Sequence, residues 1–122
     1  MGLSKKFFLP VAALVFFTIL FCLPGSAFPK EDWLAKISFD KFVHIGIFTV
    51  LLFLWCRALQ LDSLKGYIVL IIIAILYGFL IEVIQDQLVV NRSWDLGDVA
   101  ADFLGSLVGA SAWHWYKKNK PL

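Results

Sequence analysis

Apolar residues fall into four long blocks separated by short polar segments. Crossing the hydrocarbon core of a bilayer takes about 20 predominantly apolar residues in a helix. Each block, with its flanking residues, is close to that length. The pattern therefore predicts four transmembrane helices, at residues of about 7–23, 40–58, 66–86 and 96–116.

Composition supports a membrane protein. The chain has 122 residues, of which 61% are hydrophobic and 16% charged, and its mean hydropathy is +0.83. Soluble domains are about 45–50% apolar and about 25% charged. We therefore expect one all-α domain over residues 1–122, a bundle of four transmembrane helices in contact with membrane lipids. No basic stripe is present, so we expect no nucleic-acid partner.

The first block has two interpretations. Lys5 and Lys6 precede it, and the small residues Gly25, Ser26 and Ala27 follow it, which is also the pattern of a cleavable secretory signal. An uncleaved first transmembrane helix is the preferred interpretation. The following blocks are themselves membrane spans, and a retained helix gives an even number of them.

Lysine and arginine positions predict the orientation of the helices. Cytoplasmic loops of membrane proteins carry an excess of these residues. With a cytoplasmic N-terminus, the basic residues on the inner side are Lys5, Lys6, Arg57, Lys65, Lys117, Lys118 and Lys120. These are most of the 11 in the chain. Both termini are therefore expected in the cytoplasm.

Polar residues that are unusual in membrane helices gather at one end of the predicted bundle. In the predicted orientation this is the outer, extracytoplasmic end, and the inner side has only Asp62 among the acids. The residues are Asp40, Lys41, His44, Glu82, Gln85, Arg92, Asp95, Asp98 and Asp102. Ionisable residues inside a membrane are costly and by default indicate a functional site. The sequence therefore predicts a polar pocket near the outer face, with Arg92 as the partner of Asp98 or Glu82.

Spacing indicates which way the acids face. Asp98 and Asp102 are four residues apart on one helix face, and Gly105 and Gly109 continue that stripe. A Gly-xxx-Gly pair lets two membrane helices approach closely. We therefore expect the acidic stripe to face a neighbouring helix, with Gly78 as a packing position on the third helix.

Structural explanations remain open for several of these residues. Asp40 and Asp95 stand where a carboxylate can cap a helix N-terminus, although Ser38 and Ser93 could do so instead. A salt-bridged network without any ligand would also account for the deeper acids. His114 lies among aromatic residues near the predicted inner interface, where an anchoring role is preferred.

Two segments together resemble the VanZ-like family of small bacterial membrane proteins. They are FDKFVHIGIFTVLLFLW and ILYGFLIEVIQDQLVVNRSWDLGDVAADFLGSLVGA, which lie within residues 39–110. The positions that match the family pattern are Asp40, Lys41, His44, Gly78, Glu82, Gln85, Arg92, Asp95, Asp98, Gly105 and Gly109. Asp102 departs from the pattern, because the family often has asparagine there.

The resemblance implies a role at the bacterial cytoplasmic membrane, since the family takes its name from a protein associated with teicoplanin resistance. The expected activity is binding of a lipid headgroup, a wall precursor or a glycopeptide antibiotic. The residues leave an alternative open, because carboxylates with a histidine also suit acid–base catalysis or a divalent metal. That site would make the protein an enzyme on a lipid-linked substrate. No organic cofactor is expected, and the sequence leaves metal binding and oligomeric state open.

Overall fold

The fold is all-helical over the part of the chain that the structure describes. A computed structural model describes residues 2–23, 39–88 and 96–119, with side chains from residue 5 in the first segment and from residue 41 in the second. These residues form four α-helices: α1 (Gly2–Phe21), α2 (Phe39–Leu59), α3 (Leu64–Leu88) and α4 (Leu96–Asn119). The all-α prediction is confirmed for these residues, and each predicted helix overlaps one of the four. That all four cross a membrane stays a prediction.

Two helices have the length and composition of membrane spans. They are the segments Lys41–Leu59 in α2 and Leu64–Leu88 in α3. The α3 segment has a mean hydropathy of 2.7, yet only 17% of it is buried inside the bundle. The core helix of a soluble protein would bury such an apolar surface. α3 instead exposes residues such as Ile72, Ile73 and Leu76, which favours a membrane location.

The closest helix packing joins α2 to α4. A Cβ atom on Gly105 would collide with the carbonyl oxygen of Ile45, and one on Gly109 with the carbonyl oxygen of Thr49. The hydroxyl of Thr49 donates to the Ile45 carbonyl at 2.7 Å and lies 3.3 Å from the Gly105 carbonyl. From the first contact to the second, both helices advance by four residues towards their C-termini, so α2 and α4 are parallel.

α1 and α3 run antiparallel to α2 and α4. At one end of the bundle, Phe7 near the start of α1 contacts Trp55 near the end of α2. At the other end, the rings of Phe21 and His44 are 4.8 Å apart between centroids. The hydroxyls of Thr18 and Tyr77 lie 2.5 Å apart and join α1 to α3. The ends of α1 and α3 therefore meet the starts of α2 and α4.

The turn after α2 closes the opposite end of the bundle. Gln60 has a φ of 52°, and the amide of Leu61 donates to the carbonyl of Cys56 at 3.1 Å. This geometry is a Schellman cap, which satisfies the last carbonyls of a helix. The indole N–H of Trp113 then donates to the Leu61 carbonyl at 2.9 Å, which fixes the end of α4 to this turn.

Candidate functional site

Buried polar side chains gather where the starts of α2 and α4 meet the end of α3. His44, Glu82, Asp98 and Asp102 are buried, and Lys41 closes the group at its more exposed edge. We call these five residues the polar cluster. Charged residues are almost never fully buried unless they are paired. The contacts of each member are therefore described in turn.

His44 and Asp102 form the innermost pair. The ring Nδ1 of His44 is 2.6 Å from Oδ1 of Asp102, and both side chains are almost completely buried. When Asp102 is ionised it can only accept hydrogen bonds, so in that state Nδ1 carries the proton and donates it. This contact fixes the orientation of the ring and turns Nε2 towards Asp98.

Asp98 lies between the two basic side chains of the cluster. Its Oδ1 accepts a hydrogen bond from Lys41 Nζ at 3.1 Å, and its Oδ2 is 3.6 Å from His44 Nε2. The second distance is too long for a strong hydrogen bond but short enough for electrostatic attraction when the ring is protonated. A continuous polar chain therefore runs from Lys41 through Asp98 and His44 to Asp102.

Glu82 brings a third carboxylate to the cluster from α3. Its side chain is fully buried, and one of its ligand atoms lies within 4.8 Å of ligand atoms on His44 and Asp98. Among the described residues, three carboxylates thus face one lysine and one histidine.

Gly78 makes room for the deepest carboxylate. Oδ2 of Asp102 is buried and has no hydrogen-bond partner among the described residues. It lies against the backbone of α3, where a Cβ atom on Gly78 would collide with it. The sequence predicted Gly78 as a helix-packing position, and the structure adds that what packs there is an acid from α4.

Further residues support the cluster from its edges. Gln85 is buried and donates from Nε2 to the carbonyl of Phe21 at 2.8 Å, which joins α3 to the end of α1. Phe21 and Ser106 were not predicted from the sequence. Ser106 is buried and donates to the Asp102 carbonyl at 2.8 Å, and its spacing of four residues from Asp102 was the available signal. No sequence signal indicated Phe21, because it contacts the cluster through its ring, against His44, and its backbone carbonyl, which accepts from Gln85.

The cluster also contains a set of groups that could hold a divalent metal ion. Ligand atoms of His44, Glu82 and Asp98 all lie within 4.8 Å of one another. Two ligands that are each about 2.1 Å from an ion are at most about 4.2 Å apart, so small side-chain shifts would close the site. The bond from His44 to Asp102 matches the carboxylate contact that commonly orients a metal-bound histidine.

The side chains of three predicted residues lie outside the part of the chain that the structure describes. Arg92 and Asp95 lie outside the described residues, so the predicted pairing of Arg92 with Asp98 or Glu82 stays a prediction. Asp40 belongs to the first turn of α2, but its side chain is also outside the described part. The structure places Lys41, His44, Glu82, Gln85, Asp98 and Asp102 at one end of the bundle.

Comparison of the chain with family models, with curated proteins and with solved structures gave no match. The resemblance to the VanZ-like family therefore stays a prediction that depends on the quoted residues alone.

Proposed function

We propose that this protein is a VanZ-like integral membrane protein that binds an envelope ligand in the polar cluster. In this proposal all four helices cross the bacterial cytoplasmic membrane and both termini are cytoplasmic. The polar cluster then lies near the extracytoplasmic face. The ligand is the headgroup of a lipid, a lipid-linked wall precursor or a glycopeptide antibiotic.

The burial of three carboxylates around His44 carries the proposal. Glu82 and Asp102 have no exposed surface, and Asp98 is only 7% exposed. An acid at the centre of a membrane helix costs about 2.5–3.5 kcal/mol on insertion scales. Glu82 and Asp102 lie more than one turn inside α3 and α4, so part of this cost applies to them. The close contacts of Gly105 and Gly109 with α2 involve none of these acids, and only Asp102 packs against a glycine, Gly78 of α3. Recognition of a polar ligand gives a reason to retain all three.

The charges in the cluster indicate which groups of a ligand would be held. The carboxylates of Glu82, Asp98 and Asp102 suit an ammonium group, since carboxylates form strong charge-assisted hydrogen bonds with such donors. Lys41, at the more exposed edge, suits a phosphate or carboxylate on the same ligand. Wall precursors, zwitterionic headgroups and glycopeptides all combine groups of both kinds.

A metal-assisted enzyme is the second candidate, and the mutual proximity of His44, Glu82 and Asp98 favours it. These three side chains would hold the ion, and Asp102 would orient the histidine. A bound divalent ion acts as a Lewis acid and lowers the pKa of a bound water. The substrate in this case would be a lipid-linked phosphate ester presented at the same face.

A ligand titration of the purified protein distinguishes envelope-ligand binding from the metal-assisted enzyme. Wild-type protein, Asp98→Asn and Asp62→Asn would be reconstituted in nanodiscs and titrated with teicoplanin and with Zn²⁺. Asp62 is an exposed acid at the opposite end of the bundle, so it controls for the change of charge. The proposal predicts at least about tenfold weaker teicoplanin binding in Asp98→Asn alone, as expected for loss of a charged hydrogen-bond partner.

The other outcomes of this titration are equally informative. Tight Zn²⁺ binding that is lost in Asp98→Asn and in His44→Gln, but kept in His114→Gln, would favour the enzyme. Equal binding of both ligands by wild type and by every variant would contradict a functional site in the polar cluster.

A further inference from the structure

A second charged feature lies at the end of the bundle opposite the polar cluster. A groove of about 520 Å³ lies between the start of α1 and the end of α2. Lys5, Lys6 and Arg57 line it, together with apolar residues that include Leu9 and Leu54. We call this feature the basic groove.

The three cations of the basic groove have no carboxylate partner among the described residues. The salt bridges within that part of the chain involve other side chains, and Lys6 Nζ lies 5.9 Å from the centroid of the Phe7 ring. Lys117, at the same end of the bundle, shows the contrast, because it lies 3.8 Å from Asp62. Three like charges around one groove repel one another, and a bound anion would offset that repulsion.

The wall that carries Arg57 is held in a fixed conformation. Both the amide and the side-chain Nε2 of Gln60 donate to the Arg57 carbonyl, at 3.2 and 2.7 Å. The left-handed conformation of Gln60 ends α2 here and places that residue in the lining of the groove. A site with a preformed wall loses less conformational entropy when a ligand binds.

We propose that the basic groove binds the phosphate headgroup of an anionic phospholipid. α2 is apolar enough to cross a membrane, so its last turn lies where headgroups lie. Below the cations, Leu9 is 52% exposed and its neighbour Phe8 is 73% exposed, which provides an apolar surface for an acyl chain. Basic pockets between membrane helices bind anionic headgroups by this combination of charge and apolar contact. The inference does not depend on the function proposed for the polar cluster.

Native mass spectrometry of the detergent-purified protein tests the basic groove. Phosphatidylglycerol, phosphatidylcholine and water-soluble glycerol phosphate would be added to wild type, to Lys6→Gln/Arg57→Gln and to Lys65→Gln/Lys118→Gln. Each double variant removes two positive charges, but Lys65 and Lys118 do not line the groove. Circular dichroism of each variant confirms that the exposed substitutions leave the helices intact.

The expected result is selective retention of phosphatidylglycerol by wild type and by the Lys65/Lys118 control. Each cation near an anionic lipid contributes roughly a factor of five, so the groove variant should bind it roughly 30-fold more weakly. An equal loss in both double variants would overturn the proposal, because it would indicate diffuse surface attraction. Glycerol phosphate binding as tightly as the lipid would overturn the assignment to a phospholipid.

Discussion

Replacing His44 with leucine is expected to lower the free energy of unfolding by about 3 kcal/mol. His44 is the partner of Asp102 at 2.6 Å and also faces Asp98. Removing one member of a buried charged pair leaves an uncompensated charge, and that penalty exceeds the net contribution of the intact pair. Reversible unfolding in mixed micelles, followed by circular dichroism, measures the change.

His114 provides the matched control for this substitution. It is the other histidine of the chain, it is exposed, and its hydrogen bond and ring contact are both with Tyr67. His114→Leu should change the free energy of unfolding by less than about 0.5 kcal/mol. The double variant His44→Leu/Asp102→Leu should be less destabilised than the two single changes added together, because it leaves no buried charge from this pair. Strict additivity would contradict the coupling between His44 and Asp102.

Replacing Gly109 with alanine is the second substitution with a large expected effect. The added Cβ would collide with the carbonyl oxygen of Thr49 and would lie 2.9 Å from Cβ of Leu52. Backbone atoms cannot turn aside as a flexible side chain does, so α2 and α4 must separate. Overpacking of this kind costs about 1–3 kcal/mol. The same unfolding assay should show a loss in this range.

Gly46 is the matched control, because glycine-to-alanine substitution there should change the free energy of unfolding in the opposite direction. A Cβ atom on Gly46 meets no heavy atom within 4 Å. Alanine in place of glycine within a helix stabilises it by about 0.5–1 kcal/mol. Gly46→Ala should therefore raise the free energy of unfolding. If Gly46→Ala and Gly109→Ala changed stability equally, the close approach of α2 and α4 would not be the reason for glycine at position 109.

Hydropathy and residue spacing predicted the helices and the gathering of polar residues at one end. Asp98, Asp102, Gly105 and Gly109 could be placed on one face because α4 is regular and their spacing is three or four residues. The partners could not be predicted in the same way. Which cation approaches which acid depends on the relative positions of three helices, and sequence spacing carries no information on that.

The role of Lys41 illustrates this difference. The sequence named it among the available partners and predicted Arg92 as the partner of Asp98 or Glu82. The structure places Lys41 Nζ 3.1 Å from Asp98, while Arg92 lies outside the described residues. The basic groove was also not predicted, because Lys5, Lys6 and Arg57 looked like ordinary cytoplasmic flanking charges in the sequence. Their common groove depends on the antiparallel packing of α1 against α2.

Antibiotic susceptibility tests the central claim, that the polar cluster acts on an envelope ligand, most directly. A glycopeptide-sensitive Gram-positive host would express wild type, Asp98→Asn, Glu82→Gln or Asp62→Asn at matched membrane levels, and its susceptibility to teicoplanin and vancomycin would be measured. We expect wild type and Asp62→Asn to raise resistance to teicoplanin and Asp98→Asn and Glu82→Gln not to do so. Unchanged susceptibility in every strain, or equal resistance in all four, would contradict the claim.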